Sequence, residues 1–301
     1  MTADIIDGTA IAAAIREEIR VQIETSGAVP GLAVILVGAR RDSQTYVNMK
    51  KKACTAAGIA QTGYNYDDTV TEQELLDAVA KLNADDSIHG ILIQLPLPAG
   101  LNQDKILQSV DPKKDVDGLH PANVAALQLY QGPNVMEAPF SIPCTPLGCL
   151  ELLDRSGVAL SGCNAVVMGR SQLVGLPMAR LLLGRDATVT TVHSKTKDLA
   201  SILKQADVVV AAVGRAGLLQ GDWLKPGAVV IDVGINSVDI VPVKEGGKNY
   251  KLVGDVDYEA CAAVCSKITP VPGGVGPMTI AMLLRNTLKA CERSAPAAAA
   301  K

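Results

Sequence analysis

Ile11, Ala14, Ile15, Ile19 and Ile23 recur at three- and four-residue spacing, which predicts a helix over 8–25 with one apolar side. "LAVILVG" (32–38) is a continuous apolar run closed by glycine, the pattern of a strand covered on both faces. Asp42 and Ser43 are candidate caps for a helix that follows and runs to about Gly58. "TEQELLDAVAKLNAD" (71–85) predicts a second helix, with Thr71 as the N-cap and Glu74 completing a capping box. "IHGILIQLPLP" (88–98) reads as a second buried strand that ends in prolines. Periodicity then lapses in the proline-rich stretch at 130–145, where a domain boundary is placed. Beyond it, Thr145-Pro146 has the cap and first-turn pattern of a helix to about Ser156. Four strand-like runs follow at 164–168, 187–193, 207–213 and 228–233, and a helix over 277–292 is long enough to return to the first domain. Strands alternating with helices predict an α/β protein built on parallel sheets.

Composition narrows the classes. With 301 residues there is material for two domains, and 48% hydrophobic against 20% charged residues is a globular balance. The formal charge of −3 and the single Phe and single Trp offer neither an electrostatic footprint nor a stacking platform for nucleic acid. Early acidic residues and the lack of a basic segment before an apolar core read as neither a secretory nor a transit signal, and no apolar run reaches membrane-spanning length. Seven scattered cysteines without a C-x-x-C, and three histidines away from any cysteine cluster, predict reduced thiols, a cytoplasmic setting and no metal site. The tail "SAPAAAAK" is low-complexity and reads as frayed.

Candidate chemistry gathers at two places. In "MGRSQLVGLP" (168–177) Gly169 turns the chain out of a strand, and Gly175 lets the next helix pack closely, so that helix N–H groups face a phosphate. The following strand ends at His193-Ser194-Lys195-Thr196, where an NAD site would carry an acid for the ribose hydroxyl. Hydroxyls, Lys195 and the nearby Arg170 suit a 2′-phosphate instead, which points to NADP. In the first domain Tyr46 and Lys50 are four apart and share a helix face, while Lys51 and Lys52 point to solvent. Lys50 is a candidate acid/base, since burial favours the neutral amine. Gln94 interrupts an apolar strand at its ligand-binding end, and Asp115 and Asp117 share a loop as caps or as ligand anchors.

Seven stretches, "YVNMKKKA" (46–53), "GILIQLPLP" (90–98), "PKKDVDGLHPAN" (112–123), "PCTPLG" (143–148), "GRSQLVGLP" (169–177), "TVTTVHSKT" (188–196) and "PVPGGVGPMT" (270–279), occur in order over nearly the whole chain. Together they resemble the bifunctional methylenetetrahydrofolate dehydrogenase/methenyltetrahydrofolate cyclohydrolase family. The resemblance implies an α/β/α folate-binding domain over 1–142 with 276–301, a Rossmann-like NADP-binding domain over 143–275, and a cleft between them. It implies oxidation of 5,10-methylenetetrahydrofolate by NADP+, then hydrolysis of the methenyl product to 10-formyltetrahydrofolate. It assigns Lys50 as the acid/base lysine, Tyr46 as the ring that stacks on the folate and Gln94 as the partner that tunes the lysine. Asp117 becomes the pterin anchor, and Pro272 and Gly273 border the ligands. Gly169, Arg170, Ser171, Gly175 and Ser194 become the cofactor contacts, and a homodimer is implied. The chain departs from the family pattern at Thr9, where lysine is usual, and near Ala125, where a glycine is usual in the loop after H-P-x-N; neither departure is expected to touch the chemistry. A shikimate-dehydrogenase-like oxidoreductase and a non-catalytic NADP sensor are the alternatives, which Tyr46, Lys50 and Gln94 together disfavour.

Overall fold

The computed structural model describes residues 3–132, 134–239 and 250–294, with the side chains of residues 41 and 42 outside the description. The low-complexity tail after Ser294 and the Asp42 side chain, read above as frayed and as a candidate cap, therefore lie outside the described residues. The chain divides into two compact units, Ala13–Cys144 with Ile280–Lys301 and Met1–Ala12 with Thr145–Thr279. No described helix is long and apolar enough to cross a membrane.

Chain order begins with β1 (Asp4–Ile5), α1 (Gly8–Ser26), β2 (Gly31–Val37), α2 (Arg41–Ala57), β3 (Ala60–Tyr66), α3 (Glu72–Ala84), β4 (Gly90–Ile93), α4 (Gln103–Gln108) and α5 (Pro121–Leu129). The first unit is built on a parallel sheet in the order β3-β2-β4. Every residue of β2 is buried, as its unbroken apolar run predicts. Ala33, Ile35 and Val37 pack with Leu75, Val79 and Leu82 of α3 and Ile106 of α4. Each large side chain buried there contributes about 1.5–3 kcal/mol. Thr71 and Glu74 form the expected capping box at the start of α3.

Several boundaries move. α2 starts at Arg41, so Ser43 lies inside the first turn rather than capping it, and the helix ends on Gly58 at a φ of 79°. β4 spans only Gly90–Ile93, because the prolines that follow cannot donate to a ladder. Ala125 lies within α5, not in a loop: His120 caps the helix, with Nδ1 accepting from the N–H of Ala122 at 3.1 Å, and Pro121 opens it.

The second unit continues through α6 (Cys144–Arg155), β5 (Asn164–Met168), α7 (Gly175–Leu183), β6 (Thr188–Val192), α8 (Leu199–Leu203), β7 (Val208–Ala211), β8 (Val229–Asp232), β9 (Asn236–Asp239), β10 (Tyr250–Val253), α9 (Tyr258–Ala262), β11 (Lys267–Ile268) and α10 (Val275–Ser294). α6 begins one residue before Thr145, which is therefore helical; its hydroxyl meets that of Thr279 at 3.0 Å instead of capping. A parallel sheet runs in the order β1-β11-β8-β7-β5-β6, and β9 and β10 pair antiparallel. β1 belongs here rather than with the first domain expected over 1–142, because Asp4 and Ile5 pair with Lys267 and Ile268. The division in the last helix falls between Thr279 and Ile280, a few residues after the expected 276. β6 lies on one side of β5 and β7 on the other, so the strand order reverses at β5. In open α/β sheets, ligands bind outside the carboxyl ends of the strands at such a reversal.

Candidate functional site

In the first unit, Lys50 rides on the second half of α2 and is only 8% exposed, while Lys51 and Lys52 face solvent. Its Nζ donates to Gln94 Oε1 at 3.0 Å. Gln94 stands one residue beyond β4, where its backbone N–H still reaches the carbonyl of Ile35 in β2 at 2.8 Å. Its own Nε2 donates to the carbonyl of Leu95 at 2.9 Å, which turns Oε1 toward the lysine. The strand end thus fixes a neutral acceptor on the amine. Tyr46, one turn earlier on the same face as Lys50, is half-buried.

The two acids of D-V-D have separate tasks. Asp115 is buried and accepts from the N–H of Gly118 at 3.0 Å, the N–H of His120 at 2.8 Å and Asn123 Nδ2 at 2.9 Å. It organises the turn. Gly118 is held there at a φ of 69°, where a Cβ would fall 2.6 Å from the backbone of Ile142. Asp117, half-buried, is left to face Lys50 and Cys144. Burial pushes its carboxyl above the usual range, with Lys50 opposing and Asp115 adding to the rise. Burial and Asp117 together push the Cys144 thiol well above its ordinary range. All seven cysteines are buried and free.

In the second unit, Gly169 follows β5 at a φ of 114°, and a Cβ there would lie 2.1 Å from the carbonyl oxygen of Ala212. A Cβ on Gly175 would lie 2.3 Å from the carbonyl oxygen of Gly169. Both glycines are therefore required for the turn that brings the start of α7 against the sheet. Ser171 Oγ accepts from the N–H of Val174 at 3.2 Å and of Gly175 at 3.4 Å, so it opens the helix, with its own O–H left to donate. Arg170 and Ser194 are exposed. Ser194 lies in the turn after β6, which is tied by the N–H of Thr196 to the carbonyl of His193 at 2.8 Å. Pro272 and Gly273 lie in this unit too, after a cis Val271–Pro272 peptide, with Gly273 at a φ of 105°. The structure thus groups Lys50, Tyr46, Gln94 and Asp117 in one unit, and Gly169, Arg170, Ser171, Gly175, Ser194, Pro272 and Gly273 in the other.

Residues 6–117 match the catalytic domain of tetrahydrofolate dehydrogenase/cyclohydrolase, and residues 143–295 match its NAD(P)-binding domain. The chain belongs to the tetrahydrofolate dehydrogenase/cyclohydrolase family. It is similar to the bifunctional protein FolD 2 of Arabidopsis thaliana, at 53% identity over 97% of this chain and 96% of that one. It is 51% identical to the bifunctional protein FolD of Magnetococcus marinus over 97% and 98% of the two chains. Among solved structures, the FolD of Trypanosoma brucei, in complex with NADP cofactor and an inhibitor, superposes with a TM-score of 0.91 at 42% identity, covering 99% of this chain and 100% of that one.

Thr9, where the chain departs from the family pattern, lies in the first turn of α1 against the loop that carries Gly273. Its hydroxyl donates to the carbonyl of Gly273 at 3.3 Å, beside Gly8, where a Cβ would fall 1.9 Å from the carbonyl oxygen of Gly274. Sequence reading passed over Asn286 of α10. Its Nδ2 donates to the carbonyls of Val116 and Ile142, each at 2.9 Å, and so ties together the segments that carry Asp117 and Cys144. The signal was present: an Asn among the apolar positions of "AMLLRNTLK".

Proposed function

We propose that this chain oxidises 5,10-methylenetetrahydrofolate with NADP+ to the 5,10-methenyl cation and hydrolyses that cation to 10-formyltetrahydrofolate. The observation that carries the reading is the buried Lys50 amine held at 3.0 Å by Gln94, with Asp117 in the same electrostatic neighbourhood. A carboxylate partner would favour the ammonium; the neutral amide accepts a hydrogen bond without adding charge. Bound NADP+ would supply the hydride acceptor for the methylene carbon, a transfer that asks the chain for placement rather than for a side-chain acid or base. In the hydrolytic step water adds to the methenyl carbon and loses a proton. The carbinol O–H then gives up its proton as the C=O forms and the C–N5 bond breaks, and N5 keeps the electron pair and takes up a proton, with one proton released overall. Lys50 is the group that accepts and returns protons there. Asp117 anchors the pterin, and Tyr46 supplies an apolar face to it.

The residues at the carboxyl end of β5 suit NADP. Gly169 and Gly175 clear the backbone for a phosphate, the start of α7 offers N–H groups, and Arg170, Ser171 and Ser194 with Lys195 suit a 2′-phosphate. Pro272 and Gly273 are assigned to the ligand border. The reading extends to a homodimer and to the cytoplasm, where seven free thiols would stay reduced. A 10-formyl product suits formyl-transfer steps such as those of purine biosynthesis.

The test is turnover. Purified protein given methylenetetrahydrofolate and NADP+ should produce NADPH with methenyl absorbance, which then decays to the formyl product. Folded protein that turns over neither substrate rejects the reading, and a marked preference for NAD+ rejects the cofactor assignment.

A further inference from the structure

The loop that follows β7 lies at the strand-order reversal, and its shape is set by a carboxylate outside the residues assigned so far. Asp255 is 0% exposed. Its Oδ2 accepts from the N–H of Val213 at 2.6 Å and of Gly214 at 2.9 Å, and its Oδ1 accepts from the N–H of Arg215 at 2.8 Å and from Asn236 Nδ2 at 2.9 Å. Three successive backbone N–H groups converge on one side chain. Asp255 is itself held, because its N–H donates at 2.9 Å to Asp232 Oδ1, which also takes the N–H of Gly234 at 2.9 Å. Asp232 Oδ2 takes the N–H of Val256 at 3.1 Å. The two acids interlock through glycines. A Cβ on Gly234 would lie 2.4 Å from the Asp255 carboxyl, and one on Gly254 would lie 1.6 Å from Asp232 Oδ2. The stretches D-V-G (232–234) and G-D-V (254–256) each place a glycine beside the other's acid.

A carboxylate buried this deeply costs stability unless its hydrogen bonds compensate. Fixing an ordinary surface turn does not call for two such groups. We infer that Asp255, braced by Asp232, is a positioning residue for the dehydrogenase reaction, holding Val213–Arg215 in the shape that receives the dinucleotide. The inference rests on the functional reading above. Nothing in the hydrolytic step needs this loop, so the two activities should separate when Asp255 changes.

The experiment compares wild type with Asp255→Ala and Asp255→Asn. NADP+ affinity is measured by titration calorimetry, and KM for each substrate and the cyclohydrolase rate on the methenyl substrate are measured without cofactor present in the last assay. Asp255→Ala should weaken NADP+ binding roughly tenfold or more, a loss typical of small misplacement. Folate KM and the cyclohydrolase rate should stay within about twofold, as expected of independent sites. Asp255→Asn, which keeps one acceptor oxygen, should fall between. Should Asp255→Ala fail to fold, Gly214→Ala reports on the same loop: Gly214 has a φ of 64° with open space around a Cβ, so the substitution strains the backbone alone. It should weaken NADP+ binding several-fold, an effect of the size such strain produces. NADP+ affinity within about twofold of wild type in a folded variant overturns the inference, and so does a cyclohydrolase rate that falls in parallel. A wild-type chain that does not bind NADP+ overturns the functional reading instead.

Discussion

Gln94 presents Lys50 with an uncharged acceptor oxygen at 3.0 Å. Gln94→Glu replaces it with a nearly isosteric carboxylate that would hold the proton on the amine. The cyclohydrolase rate should drop about 100-fold, within the range general acid–base catalysis supplies, and hydride transfer should drop far less. Lys50→Met should show the same asymmetry; equal losses in both assays would make Lys50 a binding residue. The neighbouring acids separate in the same way. Asp115 takes three donors inside the protein, so Asp115→Ala leaves them unpaired and should cost about 3 kcal/mol in urea unfolding. Asp117 serves no backbone turn of this kind, so Asp117→Ala should raise the folate KM about tenfold or more with NADP+ affinity unchanged. A stability loss for Asp117→Ala matching that of Asp115→Ala would reverse these roles. The D-V-D motif alone left both acids as caps or anchors; the resemblance singled out Asp117, and the loop geometry shows Asp115 taken up by the turn.

Among the elements, those whose sequence pattern follows from burial were legible and the others were not. β2, β4, β5, β7 and β8 are buried along nearly their whole length and are written as apolar runs. β3 escaped detection. "AQTGYNY" is polar, and its exposed and half-buried residues mark an edge strand that pairs only with β2, so its place comes from a seven-residue register with that strand rather than from its own hydrophobicity. The two residues of β1 carry no periodicity, and their pairing with β11 is a contact over more than 260 positions. Cap chemistry is local, which is why the Thr71–Glu74 box was readable while Thr145, with an equally suitable sequence, proved to lie inside its helix. Thr71→Ala removes the hydroxyl half of the box while the residue 71 N–H can still reach Glu74, and should cost about 1 kcal/mol in urea unfolding, whereas Thr145→Ala should spare the start of its helix. Residue type and the apolar pattern marked Lys50 and Gln94 separately, and only the family resemblance paired them. Asp255 was not marked, since the backbone N–H groups it holds lie 40 or more positions earlier in the chain.

For the molecule as a whole, the interlocked acids of the second unit set a pH dependence with a definite sign. Asp232 is 3% exposed, and burial, with the Asp255 charge adding to it, pushes its carboxyl up to about 7 against three backbone N–H donors. In the unfolded chain an aspartate titrates near 3.9. Between those values the native state holds a proton that the unfolded chain has lost, so native stability falls as pH rises. The contribution is fully present below the unfolded value and is lost once pH passes the folded one. Raising pH from about 5 to 7 should lower the unfolding free energy by on the order of 2 kcal/mol through this group. Exposed carboxylates such as Glu74 and Asp85 are shifted down by their hydrogen bonds and act in the opposite sense, at lower pH and under solvent screening. The decisive quantity is therefore a difference. Urea unfolding of wild type and Asp232→Asn at pH 5, 6, 7 and 8 should give wild type a steeper decline than the variant, ending at about pH 7. Parallel curves would mean that Asp232 is ionised throughout, and that the three N–H donors outweigh its burial.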